Sequence, residues 1–123
     1  MFAAMSAPPI FDETAFRILR AELGADGAAE ILQTFLSDTS TKLDVMAANG
    51  LDRSMTRRQA HSIKSSAATL GFLELSGIAR ELELGAGGAN PEQLHQAAET
   101  LREAFGKVFS FAETVLREQA WRV

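Results

Sequence analysis

The 123-residue chain contains no cysteine. That excludes disulfides, thiolate catalysis and cysteine–zinc sites, and it allows a reducing compartment. Basic excess is missing too: 12 Lys and Arg stand against 16 Asp and Glu, a formal charge of −4. Binding to a phosphate backbone normally shows as a cationic surplus, so nucleic acid is not an expected partner. No apolar run approaches the length of a bilayer span. The opening "MFAAMSAPPI" lacks a basic start and is too short for a secretory core with its cleavage site. A cytoplasmic protein without a membrane partner is expected. No segment alternates apolar and polar residues for long enough to make a strand, and the ~34-residue signatures of helical solenoids are absent.

What remains is 46% hydrophobic and long enough for one domain with one core. Residues 1–10 read as a flexible tail closed by Pro8 and Pro9, and residues 11–121 as the domain. "FDETAFRILRAELG" predicts a short helix capped by Asp12 and stopped by Gly24. A second helix is expected from about Asp26 to Ala48, with Leu32, Leu36, Leu43 and Met46 at helical spacing, Ile31 and Phe35 beside them, and "NG" at 49–50 as its end. A third runs from about Asp52 to Leu70 and breaks at Gly71. "LELSGIARELELG" carries Leu75, Ile78, Ala79 and Leu82 on one stripe and predicts a fourth. "GAGG" at 85–88 precedes Asn90–Pro91 rather than following a strand, so it is a turn and not a phosphate loop. Asn90 caps the last helix, whose seam is Leu94, Ala98, Leu101, Phe105, Val108, Ala112 and Val115. Glu103–Lys107 and Glu113–Arg117 have the favourable i, i+4 order on its surface. Short loops favour antiparallel neighbours. The expected fold is all-α: an antiparallel up-down four-helix bundle with a short additional N-terminal helix.

The third helix carries one of the two histidines. At about 100° per residue, Ile63 and Leu70 fall roughly opposite His61, with Met55 and Ala67 flanking that apolar side. His61 therefore points away from the core. Around it on the outer face lie Ser54, Arg57, Arg58, Lys64, Ser65 and Ala68. Three of these neighbours are cationic in an acidic protein, and Ser65 and Ala68 are small. Metal binding is disfavoured, because the neighbours are cations instead of further ligands. Two readings stay open on periodicity alone, which favours the first: an ordinary exposed histidine on a solvated face, or an anion-handling nucleophile. In the second, a neutral imidazole attacks a phosphoryl group while Lys64 and the arginines offset its charge.

"AHSIKSSAATLG" at 60–71 resembles the phosphorylation-site motif of histidine-containing phosphotransfer (HPt) domains. That motif has a histidine, a lysine three residues on, small residues, and a glycine ten residues after the histidine. His61, Lys64, Ser65, Ser66, Ala67 and Gly71 fill those positions. The resemblance implies an antiparallel four-helix bundle with the active histidine on its second helix, matching residues 11–121. It implies a phosphoryl carrier of a multistep phosphorelay rather than an independent enzyme, with no cofactor of its own. Its partners would be the receiver domain of a response regulator and a hybrid histidine kinase, met as a monomer. His61 would become the phosphohistidine at Nε2, and Lys64 would steady the phosphoryl group. Glu83, 22 residues after the histidine, stands where the family has a Gln or Glu that holds Nδ1–H; the position equally fits a surface glutamate. Ser54, Arg57, Arg58, Ser65 and Ala68 would form the docking face. Ser65 stands where many members have glycine, which bears on how tightly a partner docks.

Other readings have less behind them. A bundle adaptor that docks a receiver or kinase without being phosphorylated leaves the pairing of His61 with Lys64 unexplained. A hydrolase using His61 as general base lacks a visible nucleophile and pocket. His95 sits just off the last helix's seam and reads as exposed or half-exposed. Trp121, Phe105, Phe109 and Phe111 read as packing.

Overall fold

A computed structural model describes residues 10–48 and 52–121, with side chains through Glu118. Four α-helices follow in order among them: α1 Glu13–Ala48, α2 Arg53–Leu70, α3 Leu73–Gly85 and α4 Pro91–Trp121, with a 3₁₀ turn Ala86–Gly88 between the last two. α1 packs on α2, α2 on α3, α3 on α4, and α4 returns to α1. The expected bundle is present. The expected tail, apart from Ile10, lies outside the described residues. So do the 49–50 stop and the Trp121 side chain.

Local chemistry explains the boundaries. At the start of α2, Asp52 Oδ2 accepts from the Met55 N–H at 2.9 Å, a side-chain N-cap. At its end Gly71 takes φ +87°, in the left-handed region. The Gly71 N–H donates to the Ala68 carbonyl (3.1 Å) and the Phe72 N–H to the Ala67 carbonyl (2.8 Å), the paired bonds of a Schellman cap. The start of α4 is a reciprocal box. Asn90 Oδ1 accepts from the Gln93 N–H (2.8 Å), and Gln93 Oε1 accepts from the Asn90 N–H (2.9 Å).

The first two expected helices differ in one respect. They join without an intervening loop, as a single bent run with Gly24 alone in a non-helical conformation (φ 81°, ψ 168°). One glycine absorbs the change of direction, because it has no Cβ to oppose a positive φ. The N-terminal arm of α1 is tied to the far end of α2, where the Asp12 N–H donates to the Gly71 carbonyl at 2.6 Å.

The core takes Leu32, Leu36, Leu43 and Met46 from α1, Ile63 and Leu70 from α2, and Leu75, Ala79 and Leu82 from α3. From α4 it takes Leu94, Leu101, Phe105, Val108 and Ala112. Phe72 is fully buried, its ring 5.4 Å from Phe35 and 5.3 Å from Phe11. Several side chains depart from expectation. Ile31, beside the buried stripe, is exposed because it lies outside the strip its neighbours cover; Phe109 and Phe111, though exposed, pack as expected, their ring centroids 6.0 Å from Phe105 and 4.8 Å from Phe11. Thr39 and Thr56 are buried among apolar residues. Lys107 turns across to Glu74 of α3 at 3.7 Å, and Arg117 donates to Thr114 Oγ1. The expected i, i+4 partners lose these cations to groups that tertiary contact and local rotamers bring closer.

Candidate functional site

His61 stands midway along α2, its side chain 60% exposed. The apolar face of α2 (Ala60, Ile63, Ala67 and Leu70) is buried against the rest of the bundle, and that burial turns His61 outward. Ser54, Arg57, Arg58, Ser65 and Ala68 are exposed with it. Between Arg53 and Leu70 there are four basic residues and no Asp or Glu. Arg53 is tethered, its Nε donating to the Ala89 carbonyl at 3.0 Å. Arg57 and Arg58 make no ion pair among the described residues.

Glu83 reaches His61 from α3. Its Oε2 lies 2.6 Å from His61 Nδ1, and its Oε1 lies 2.8 Å from Lys64 Nζ. The carboxylate is thus a bridge between the imidazole and the cation one turn further along α2. Glu83 is only 19% exposed at its side chain, and its carboxyl is held below the usual carboxylate range, first by the bond from Lys64 and then by that from His61. An ionised carboxylate accepts and cannot donate, so Nδ1 must carry the hydrogen. In the neutral ring Nε2 then keeps the free lone pair.

The structure thus gathers His61, Lys64 and Glu83 into one cluster and sets the expected docking residues on the same helix. The sequence did not reveal that Lys64, which is 28% exposed, reaches Glu83 in the free protein. It also missed Ser76, whose hydroxyl donates to the Lys64 carbonyl at 2.9 Å. The available signal was a small polar residue two turns before Glu83. Among the described residues His95, 68% exposed, makes its one ion pair with Glu99 of its own helix, at 3.7 Å. Among the described residues no cluster of three His, Asp or Glu is placed to hold a metal, and no helix is long and apolar enough to cross a membrane. A groove of about 460 Å³, lined by Ile78, Leu82, Leu94 and Ala97 among others, does not include His61. His61 is presented on an open face, outside that groove.

A family model for the Hpt domain matches residues 30–108, more than half of the chain and all of α2 and α3. The chain also resembles the crystal structure of histidine-containing phosphotransfer protein B (HptB) from Pseudomonas aeruginosa PAO1. The TM-score is 0.74 at 23% identity, over 94% of this chain and 97% of that one. At that identity the likeness speaks to the fold. No curated protein matches the chain.

Proposed function

The chain belongs to the Hpt domain family, whose role is histidine phosphotransfer, and from that premise we propose that His61 is its phosphoryl acceptor. The observation that supports this is the 2.6 Å contact between Nδ1 and Glu83, which assigns the hydrogen to Nδ1 and the nucleophilic lone pair to Nε2. In the reaction, Nε2 attacks the phosphorus of an aspartyl phosphate on a receiver domain. The N–P bond forms as the P–O bond to the aspartate breaks, and the aspartate carboxylate leaves. Donation to a second receiver is the reverse. Glu83 stabilises the positive charge that the ring acquires, and Lys64 moves between Glu83 and the incoming phosphoryl oxygens. Any Mg²⁺ required acts on the receiver.

The docking face is the outer side of α2. Ser65 and Ala68 lie one and two turns beyond His61, and their small side chains permit close approach. Arg57 and Arg58 favour an acidic partner surface. The chain acts in the cytoplasm as a monomeric carrier between a hybrid histidine kinase and a response regulator, and residues 11–121 form its working domain.

The test is acid-labile labelling from a phosphorylated receiver. His61→Gln should fold and accept no phosphoryl group, whereas His95→Gln should label as wild type. Full labelling of the His61 variant would overturn the proposal.

A further inference from the structure

We infer that Ser76 is a positioning residue for His61: its hydroxyl bond to the Lys64 carbonyl sets the axial register of α3 on α2, and that register places the Glu83 carboxylate at the imidazole. The inference rests on the reading of His61 as the phosphoryl acceptor.

The interface between these helices is built from residues that do not specify register by themselves. Ala60, Ile63 and Ala67 of α2 and Leu75 and Ala79 of α3 are fully buried. Their attraction is non-directional and tolerates a small slide along the axis. The 2.6 Å contact between Nδ1 and Glu83 is directional: it weakens steeply as its donor angle closes, and a slide of about an ångström along the axis takes it out of range.

Three directional contacts join α2 to α3 among the described residues. Two of them end on Glu83, from His61 and from Lys64. Both are part of the site and are open to change when a phosphoryl group draws Lys64 toward itself. The third is the bond from Ser76 Oγ to the Lys64 carbonyl, 2.9 Å long and partly buried. It uses backbone rather than the lysine side chain, so it persists whichever partner Nζ has.

Its placement suits the task. Ser76 and Glu83 are seven residues apart, nearly two full turns, and lie on one face of α3. The bond is anchored at Lys64, one turn from His61 on α2. A helical glutamate leans toward the N-terminus of its helix, here toward Ser76. The span between the anchor and the carboxylate is therefore short and helical, and a shift at one end is carried to the other.

Imidazole ¹⁵N spectra of His61 test the inference without any transfer reaction, alongside transfer rates and melting curves. Wild type should show the Nδ1–H tautomer. Ser76→Ala should move both ring nitrogens toward a mixture of tautomers and slow transfer roughly tenfold, short of the ~10²-fold that a full ångström of misplacement costs. Ser76→Thr, which keeps the hydroxyl, should restore the wild-type spectrum. If Ser76→Ala fails to fold, Ser76→Cys keeps the volume, replaces the strong donor with a weak one, and carries the same expectation. Wild-type nitrogen shifts in a folded variant lacking the hydroxyl would overturn the inference, whatever its transfer rate. If wild type itself accepts no phosphoryl group, the proposed function fails, and the nitrogen shifts still decide the role of Ser76.

Discussion

Glu83 stands between two unlike groups, an imidazole and a cation. An amide at this position would keep an acceptor for the imidazole but could not form the ion pair with Lys64 (2.8 Å). Lys64 and, after it, His61 hold the Glu83 carboxyl below its ordinary value of 4.5. A group whose folded pKa is depressed contributes stability that is present above the unfolded value and is lost as pH falls through the folded one. The melting-temperature difference between wild type and Glu83→Gln should therefore not narrow between neutral pH and about 4.5, and should narrow only below that. Closure of the gap near pH 6 would contradict a carboxylate origin. The same variant should still accept phosphoryl groups, more slowly, since the oxygen facing Nδ1 is retained.

The ends of α2 and its exposed side obey separate rules, and substitutions can separate them. Gly71 closes the helix at φ +87°, and a Cβ there would meet the Asp12 carbonyl oxygen at 2.5 Å and the Ala15 Cβ at 3.1 Å. Both obstacles belong to the arm of α1, one of them backbone. Gly71→Ala should cost about 2 kcal/mol or more from left-handed strain and the clash, and it should show as a lower melting temperature. Ala68, three residues earlier, is exposed. Ala68→Gln should melt as wild type and yet transfer slowly, because a long side chain two turns from His61 holds the partner's aspartate away. Wild-type transfer by Ala68→Gln would show that the partner approaches from another direction.

Charge is unevenly spread over the molecule. The chain carries −4 in total, yet α2 holds basic residues only. The remaining helices carry the acidic surplus. Such a polarised body orients an acidic partner toward α2 before contact. Association with a receiver should slow severalfold between about 50 mM and 500 mM salt, where the Debye length shrinks from ~14 to ~4 Å. Arg57→Ala combined with Arg58→Ala should flatten that dependence more than Arg102→Ala, which removes a cation already paired with Asp44 on another side of the bundle. A rate indifferent to salt would point to an apolar contact instead.

Much of this was legible before any coordinates, because capping and periodicity act within a few residues. Asp52, Gly71 and Asn90 marked the ends of α2 and the start of α4 through bonds no more than five residues long. The 3.6-residue period placed Ile63 inside and His61 outside. The family motif added Lys64 and named Glu83, while the residues alone left Glu83 as either a clamp or a surface glutamate. Tertiary structure decided that question. The contact joins residues 22 apart in sequence and depends on how far α3 slides along α2, which no local signal encodes. For the same reason the Lys64–Glu83 pair, the Ser76 bond, the exposure of Ile31 and the turn of Lys107 toward Glu74 appeared only in the assembled bundle. Each depends on which helix faces which, and at what height.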